Sequence, residues 1–380
     1  MDVPELGVRV LNLVSVVQIS TFYSDHGGVE KSVSDLVLGL KSEHDVRVLC
    51  THNSTKTSRE QRDGILVTAV GAPFGIQGRP MAATFPLELG RQKCDVAHYH
   101  LPFPLAMASH MLAAPKARLT VATWHHDLVR HAKFNKMIQP LLESFLDRMD
   151  IIIVTAPALI EHTPVLYKRR HKCRVIPLGI EEQRFSPERN VGASTTNDQE
   201  LGSDVLFVGR LVYYKGCDIL LRAISKIDAS VSLVGEGPLL AELQSLASEL
   251  GISNRVRFHG RVSDEQLALM YKTSSIFVLP STLPTECFGL VQVEAMLNGK
   301  PVINTNLPTG VPWVSLHNET GITVPPGDVD ALASAIRLLL DDAPMRKKLG
   351  AQAATRAQNM FTLKHHVEAM TDLYADLLAN

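Results

Sequence analysis

Short apolar runs rich in β-branched residues alternate along the chain with longer segments whose apolar positions follow a helical period. In the first half these runs are VRVLNLVSVV, DVRVLC, ILVTAV, DVAHYH, ARLTVATW, IIIVTA and RVIPLG. In the second half they are DVLFVG, SVSLVG, RVRFHG, IFVLP, PVINTN and GITVP. Because strands that alternate with helices form parallel sheets, each half is predicted to be a parallel-sheet α/β domain.

The two halves are separated by SPERNVGASTTNDQELGSD, residues 186–204, which contains almost no large apolar side chain. Such a composition is typical of an interdomain linker. We therefore predict a first domain over residues 1–190 and a second domain over residues 191–362. Residues 363–380 have an amphipathic helical pattern with no strand after it, and we expect this helix to pack on the first domain.

The composition narrows the class of protein. Apolar residues make up 45% of the chain, charged residues 20%, and the net charge is −1 at pH 7, which argues against a general nucleic-acid binder. No stretch approaches the ~20 apolar residues of a membrane span, and the amino terminus has no signal-peptide pattern, so we expect a cytoplasmic protein. The odd cysteine count without CxxC spacing predicts free thiols. These cysteines are Cys50, Cys94, Cys173, Cys217 and Cys287.

The strongest chemical pattern is IFVLPSTLPTECFGLVQVEAMLNGKPVI, residues 276–303. It predicts a strand, a loop with Glu286, and a helix that begins near Phe288 and carries Glu294. The free N–H groups of a helix amino terminus can hold a phosphate, and Gly289 permits close backbone approach. Acids on two sides of an anion site suit a nucleotide-sugar, with the sugar at one end and the ribose at the other. Surface acids on an amphipathic helix are the alternative.

Two cations follow the first strand of the second half. In DVLFVGRLVYYKGCDILLRAI, Arg210 comes directly after the strand and Lys215 opens the next helix. Two cations on one turn can neutralise the charge that builds on a departing nucleoside diphosphate, the task that Mg²⁺ performs in many phosphate enzymes. No metal or other cofactor is then expected. A solvated basic turn is the alternative.

The first half carries two further candidates. In STFYSDHGGVEKSVSDLVLGL, Gly27 and Gly28 are predicted to open the helix after the first strand, in a turn that tolerates a phosphate. LTVATWHHDLVRH places His125, His126 and Asp127 at the end of a strand. Paired glycines can also simply turn a chain, and a strand-end histidine can be structural, so the residues alone leave both roles open.

Together these segments resemble glycosyltransferase family 4, and the resemblance covers nearly the whole chain. The family's Glu-x7-Glu motif matches Glu286 and Glu294 and the Ala-Met that follows. The resemblance implies that Glu286 binds hydroxyls of the transferred sugar, that Glu294 binds the ribose, and that Arg210 and Lys215 contact the donor diphosphate. It also implies a retaining mechanism and the GT-B fold class, an α/β fold with two Rossmann-like parallel-sheet domains facing a central cleft.

The resemblance assigns roles to residues whose own signal is weak. His125, two residues after a threonine at a strand end, matches a histidine that contacts the transferred sugar, and Asp127 is an acceptor-side candidate. Gly27 and Gly28 match a glycine loop that approaches the donor phosphates and the acceptor. The implied catalytic set is therefore Arg210, Lys215, His125 and Glu286. The implied donor-binding set adds Phe288, Gly289, Leu290, Gly235, Arg261 and Val262 to the glycines and to the two glutamates.

His98 and His100 form an HxH pattern in DVAHYH. With His125 and His126 they can form half of a zinc site, but no acidic or cysteine ligand completes it. We therefore expect no metal there, and we predict that His98 and His100 lie in a cleft wall on the acceptor side.

Two basic segments with interspersed apolar positions are RHAKFNKMIQPLLESFLDR, residues 130–148, and YKRRHKCR, residues 167–174. Such a pattern fits an anionic membrane face or, equally, a solvated helix face. Because lipid-linked acceptors are common in the family, peripheral contact with the inner face of the plasma membrane is a possible use of these segments.

Within the family, PVINTNLPTGVPWVSLHNETGITVPPGD, DVAHYHLPFP, TWHHDLVR and PVLYKRRHKCRVIPLGI look most like bacterial mannosyl- and rhamnosyltransferases of lipopolysaccharide O-antigen assembly. These use GDP-sugars and a polyprenyl-diphosphate-linked acceptor. The resemblance implies transfer of α-mannose from GDP-mannose to such a lipid-linked glycan in surface polysaccharide synthesis. GDP-rhamnose or a UDP-sugar is the alternative donor. A GT-B phosphorylase or an epimerase is a more distant alternative, and a non-catalytic binding module is disfavoured by the intact acids and cations.

Overall fold

The computed structural model describes most of the chain, in five segments. They are residues 13–24, 27–76, 79–126, 132–185 and 202–379, without the side chains of residues 76, 79, 132–135, 183 and 185. The predicted acceptor-side residue Asp127 and residues 186–201 of the predicted linker lie outside these segments.

Two compact units make up the structure. The first draws on residues 1–123, 133–152 and 370–380, and the second on residues 124–132 and 153–369. The domain boundary expected near residue 190 stays a prediction, because the chain around it is outside the described segments. Among the described residues, no helix has both the length and the apolar character that crossing a bilayer requires.

The first half of the chain contains an eight-stranded sheet with the strand order β10-β9-β8-β7-β1-β2-β4-β3. Its strands are β1 (Ser15–Ile19), β2 (Asp45–His52), β3 (Ser58–Arg62), β4 (Ile65–Gly71), β7 (Lys93–Leu101), β8 (Lys116–Trp124), β9 (Ile151–Val154) and β10 (Cys173–Val175). Strand β1 pairs in parallel with β2 and β7, and β2 pairs in parallel with β4. Strand β3 is antiparallel to β4. This half is therefore not purely parallel, in contrast to the expectation from its apolar runs.

A separate antiparallel hairpin consists of β5 (Phe74–Ile76) and β6 (Arg79–Met81). The helices of this half begin directly after strands or turns, and four of them have proline in the first turn, where its missing N–H costs no helical hydrogen bond. They are α1 (Gly28–Leu40), α2 (Phe85–Gly90), α3 (Pro104–Leu112), α4 (Ala132–Arg148), α5 (Pro157–His162) and α6 (Pro164–Tyr167).

The second half contains a six-stranded sheet with the order β13-β12-β11-β14-β15-β16, and every pair in it is parallel. Each of its strands falls in one of the predicted apolar runs. They are β11 (Val205–Val208), β12 (Val231–Val234), β13 (Val256–Gly260), β14 (Ile276–Val278), β15 (Val302–Thr305) and β16 (Gly321–Val324). The helices are α7 (Cys217–Ser225), α8 (Leu240–Glu249), α9 (Asp264–Thr273), α10 (Leu290–Leu297), α11 (Val311–Val314), α12 (Val329–Asp341), α13 (Ala343–Met360) and α14 (Leu363–Ala379).

Both faces of this second sheet are buried. Along β11, Val205 and Phe207 enter one apolar cluster, and Leu206 and Val208 enter another. Because successive strand residues point to opposite faces, burial of both faces explains why the strand sequence is continuously apolar.

The strand order reverses between β11 and β14. From β11 the chain moves outward to β12 and β13, and then returns to place β14 on the other side of β11. At such a switch point the loops beyond the carboxyl ends of the two central strands diverge and leave room for a ligand. The segment with Glu286 follows β14, and the segment with Arg210 and Lys215 follows β11.

Candidate active site

The loops after β11 and β14 are joined by their backbones. The N–H of Thr282 donates to the carbonyl oxygen of Tyr214 at 2.8 Å. Tyr214 is the middle residue of a 3₁₀ turn, Tyr213–Lys215, and Gly216 follows it with φ +67°. A Cβ atom at Gly216 would overlap the carbonyl oxygen of Pro280, so this close approach requires glycine. The absence of a side chain at Gly216, directly after the predicted phosphate-binding lysine, therefore allows the two loops to lie in contact.

A buried ion pair links the two loops at their side chains. Lys215 Nζ lies 2.5 Å from Glu286 Oε2, and each side chain is only 10% exposed. The hydroxyl of Ser281 donates to the same carboxylate oxygen at 3.0 Å, and the hydroxyl of Thr309 donates to the backbone carbonyl of Glu286 at 2.8 Å. A charge with so little access to water needs such partners. The structure thus brings together the predicted diphosphate-binding cation and the predicted sugar-binding acid.

Arg210, the other predicted cation, has a different environment. Its side chain is exposed, and its Nη2 atom lies 3.4 Å from the hydroxyl oxygen of Tyr214. The ring of Tyr214 also lies 5.8 Å from Lys215 Nζ. Tyr214 is therefore close to both cations, one buried and paired and the other accessible to a ligand from solution.

The loop that precedes α10 is fixed from two sides. The N–H of Gly310 donates to the carbonyl of Cys287 at 2.7 Å, and the side-chain amide of Gln292 donates to the carbonyl of Phe288 at 2.6 Å. The sequence predicted that the helix begins near Phe288, but it begins at Leu290. Gly289, at the N-cap position, has φ +72° and so cannot belong to the helix.

Glu294 lies on α10, half-buried, and its Oε2 atom accepts a hydrogen bond from the hydroxyl of Tyr271 at 2.8 Å. Burial raises the pKa of Glu294 to about 7, and the Tyr271 hydrogen bond and the positive charge of Arg184 oppose that rise. The carboxyl group therefore titrates near neutral pH, which distinguishes it from an ordinary surface glutamate.

The remaining second-half candidates lie beyond β12 and β13. Gly235 has φ +128°, its N–H donates to the carbonyl of Gly260 at 2.7 Å, and a Cβ atom there would overlap the carbonyl oxygen of Gly209. Arg261 and Val262 follow β13; Arg261 is exposed and Val262 is half-buried. A structural requirement for glycine at Gly235 is thus established, whereas donor contact at these positions stays a prediction.

The candidates from the first half of the sequence occupy local structures of the expected kind. Gly27, with φ +97°, is the N-cap residue of α1, which begins at Gly28. His125 directly follows β8 and is buried, and the adjacent His126 is half-buried. Contact of these residues with a donor or a sugar stays a prediction.

His98 and His100 belong to a buried polar network in the first unit. His98 Nδ1 lies 2.7 Å from the Tyr374 hydroxyl, and its Nε2 lies 2.6 Å from the Thr123 hydroxyl. His100 Nε2 lies 2.7 Å from Gln18 Oε1. The network joins the last turns of α14 to β1, β7 and β8. An acceptor-side role for the two histidines stays a prediction, and among the described residues no cluster of three or more metal-ligating side chains is present.

Several residues at the site were not predicted, because their importance lies in tertiary contacts. Tyr271, Ser281 and Thr309 hydrogen-bond to one of the two glutamates, yet each stands outside the Glu-x7-Glu pattern. Of these three, only Tyr271 can be anticipated from the sequence, because a tyrosine at a buried position of a helix requires a hydrogen-bond partner for its hydroxyl.

The sequence is similar to two described families of glycosyltransferases. Residues 26–184 match the family described as Glycosyltransferase Family 4, and residues 195–356 match Glycosyl transferases group 1. The chain is 34% identical to the D-rhamnosyltransferase WbpZ of Pseudomonas aeruginosa over 71% of its own length and 70% of that protein. It is also 34% identical to the O-antigen chain mannosyltransferase C of Escherichia coli, over 75% of its length and 76% of that protein. The protein therefore belongs to glycosyltransferase family 4 and is a glycosyltransferase.

A more distant relative and a solved structure complete the comparison. A GDP-mannose-dependent α-(1-6)-phosphatidylinositol monomannoside mannosyltransferase of Mycolicibacterium smegmatis is 32% identical over 46% of this chain and 49% of that protein. The sucrose-phosphate synthase of Thermosynechococcus elongatus superposes with a TM-score of 0.76 at 22% identity, over 96% of this chain and 99% of that chain. This likeness and the two parallel-sheet halves confirm the predicted GT-B fold class.

Proposed function

We propose that this glycosyltransferase transfers α-mannose from GDP-mannose to a polyprenyl-diphosphate-linked or other glycan acceptor in bacterial surface polysaccharide synthesis. The transfer retains the anomeric configuration and needs no metal ion. The observation that carries the site assignment is the buried pair of Lys215 and Glu286 at the switch point of the second sheet. The donor assignment rests on the names of the relatives, two of which are mannosyltransferases.

In the proposed reaction, the donor diphosphate binds Arg210, Lys215 and the N–H groups at the start of α10. These groups stabilise the negative charge that develops on the leaving GDP, and such preorganised electrostatic stabilisation is a large contribution to catalysis. The sugar hydroxyls donate to the carboxylate of Glu286 and the ribose hydroxyls to that of Glu294. Their contribution is orientation, and neither acid acts as the base.

The bond between the anomeric carbon and the phosphate oxygen breaks, and its electron pair stays on the phosphate. The acceptor hydroxyl attacks the anomeric carbon from the face that the phosphate leaves, and the departing phosphate oxygen takes the hydroxyl proton. The products are the α-linked glycan and GDP. His125 is assigned to contact with the transferred sugar, with Gly27 and Gly28 near the phosphates.

A donor panel tests this proposal. The purified protein is incubated with GDP-mannose, GDP-rhamnose, UDP-glucose and UDP-galactose, each with a lipid-diphosphate-linked acceptor, and release of nucleoside diphosphate is followed. GDP-mannose is expected to give the highest rate. GDP-rhamnose is included because the Pseudomonas relative is a D-rhamnosyltransferase. Release from another donor but none from GDP-mannose would contradict the donor assignment and leave the glycosyltransferase class intact.

We further propose that the protein works at the inner face of the plasma membrane. The segment of residues 167–174 supports this, because Lys168, Arg170 and Arg174 are exposed, and Arg170 lies 4.8 Å above the ring of the half-exposed Tyr167. Cosedimentation with vesicles that contain anionic lipid, but not with neutral vesicles, is the expected result; equal recovery in both would reject the membrane contact.

A further inference from the structure

Tyr271 lies outside every motif of the sequence, yet its hydroxyl reaches the site. The residue is on α9 and is fully buried, and its ring packs against Phe277 with 5.9 Å between ring centres. Its hydroxyl oxygen lies 2.8 Å from Glu294 Oε2 and 3.3 Å from the carbonyl oxygen of Val291. A phenol has one proton to donate, and the nearer, charged acceptor gives the stronger bond. The geometry therefore directs the Tyr271 proton to Glu294.

The two oxygens of the Glu294 carboxylate have different surroundings. Oε2 is held by Tyr271, whereas Oε1 has no hydrogen-bond partner among the described residues. Glu294 as a whole residue is half-buried, so it keeps some access to solvent. A carboxylate that is held in place through one oxygen can offer its other oxygen to a hydroxyl group at a defined position.

We propose that Tyr271 is a positioning residue for nucleotide binding: through its hydrogen bond it orients the Glu294 carboxylate and favours the form that accepts hydroxyl hydrogen bonds. The inference rests on the proposed function, in which Glu294 meets the ribose of the donor. It adds a residue to the nucleotide site whose action is exerted through Glu294 and not by contact with the ligand.

Two groups lower the pKa of Glu294, and of these Tyr271 makes the direct hydrogen bond to the carboxylate. Burial raises the pKa of Glu294 to about 7, the Tyr271 hydrogen bond and Arg184 lower it, and Asp264 raises it. Arg184 is already engaged by Asp264 in a two-pronged pair, with bonds of 2.8 and 2.9 Å. The opposite charge of Asp264 offsets much of the effect of Arg184, so loss of the tyrosine hydroxyl removes the main local support for the anion.

Because the Tyr271 hydrogen bond lowers the pKa of Glu294, loss of that hydrogen bond should raise this pKa. An acid whose pKa rises is protonated over a wider pH range, and a protonated carboxyl group accepts hydrogen bonds less well. Without the Tyr271 hydroxyl, nucleotide binding should therefore weaken at neutral pH and recover as the pH rises. The wild-type protein should show the same recovery at lower pH.

The test is GDP binding to the full chain by calorimetry between pH 6 and pH 9, for the wild type and for Tyr271→Phe. We expect about five- to tenfold weaker binding at pH 7 for the variant, a difference that shrinks toward pH 9, and kcat within twofold at saturating donor. The matched control is Tyr99→Phe. Tyr99 is equally buried and has its hydroxyl 2.8 Å from His110 in the first unit, so GDP affinity should not change.

A second variant decides the question should Tyr271→Phe fail to fold. Replacement of Tyr271 by 4-aminophenylalanine keeps the shape and a weaker N–H donor, so the pH midpoint of GDP binding should lie above that of the wild type. An unchanged affinity and pH midpoint in a folded variant would overturn the inference. A wild type that binds no nucleoside diphosphate at any pH would instead overturn the proposed function.

Discussion

The pairing of Lys215 with Glu286 predicts that one substitution will have opposite effects on binding and on transfer. Glu286→Gln removes the negative charge and keeps the size of the side chain and an oxygen acceptor. The Glu286 carboxylate oxygen lies 2.5 Å from Lys215 Nζ and neutralises its charge. In the proposed site a donor diphosphate shares that lysine with the glutamate, so removal of the carboxylate charge should strengthen the binding of GDP.

The size of this effect follows from the geometry. A phosphate oxygen that also binds the ammonium, at about 2.8 Å, lies no more than about 5.3 Å from the carboxylate oxygen. Two unit charges at that separation repel each other by about 3 kcal/mol at an effective dielectric constant of about 20. Ligand relaxation and water will reduce this value, so we expect about tenfold tighter binding of GDP, which corresponds to about 1.4 kcal/mol.

The assay measures GDP affinity by calorimetry and sugar transfer by GDP release from GDP-mannose. Glu286→Gln should bind GDP more tightly and transfer at least about a hundredfold more slowly, since the anionic acceptor for the sugar hydroxyls is lost. Glu242→Gln is the control, because it makes the same charge change at an exposed position on α8. GDP binding that is equal to or weaker than that of the wild type would refute the reasoning.

Two further predictions concern the turn after β12 and the proposed independence of transfer from metal ions. Gly235→Ala should lower the free energy of unfolding in urea by about 2 kcal/mol or more, because φ is +128° and the Cβ atom would overlap the carbonyl oxygen of Gly209. Gly251→Ala, where φ is +69° and no atom lies within 4 Å of the new Cβ, should cost only about 1 kcal/mol, and equal costs would disprove the overlap. Treatment with EDTA should leave the transfer rate unchanged; a loss that Mg²⁺ or Mn²⁺ restores would contradict the assigned roles of Arg210 and Lys215.

The sequence predicted the second sheet well, since a strand buried on both faces leaves a continuous apolar run. It missed β3, Ser58–Arg62, for the opposite reason. That strand, SREQR, lies at the edge of its sheet and is mostly exposed, so it carries no apolar alternation. It also missed the hairpin of β5 and β6, whose strands have only three residues each.

At the site, local patterns predicted which residues matter but not how they meet. Glu286 and Lys215 were assigned to different parts of the donor, and their direct contact depends on the adjacency of β11 and β14, which only the fold supplies. The HxH pattern of His98 and His100 predicted a cleft wall on the acceptor side, which stays a prediction. Their partners include Tyr374, far along the chain, and no local pattern can predict a contact at that separation.

The central claim is that Glu286 and Arg210 belong to the active site. The most direct test is to measure the rate of sugar transfer from GDP-mannose in Glu286→Ala, in Arg210→Ala and in the wild type. Each variant should lose at least about a hundredfold in rate, because one removes the proposed sugar recognition and the other removes the proposed stabilisation of the leaving diphosphate. Arg222→Ala, an exposed arginine on α7, should retain the wild-type rate. Rates within a factor of two of the wild type for both Glu286→Ala and Arg210→Ala would contradict the assigned site.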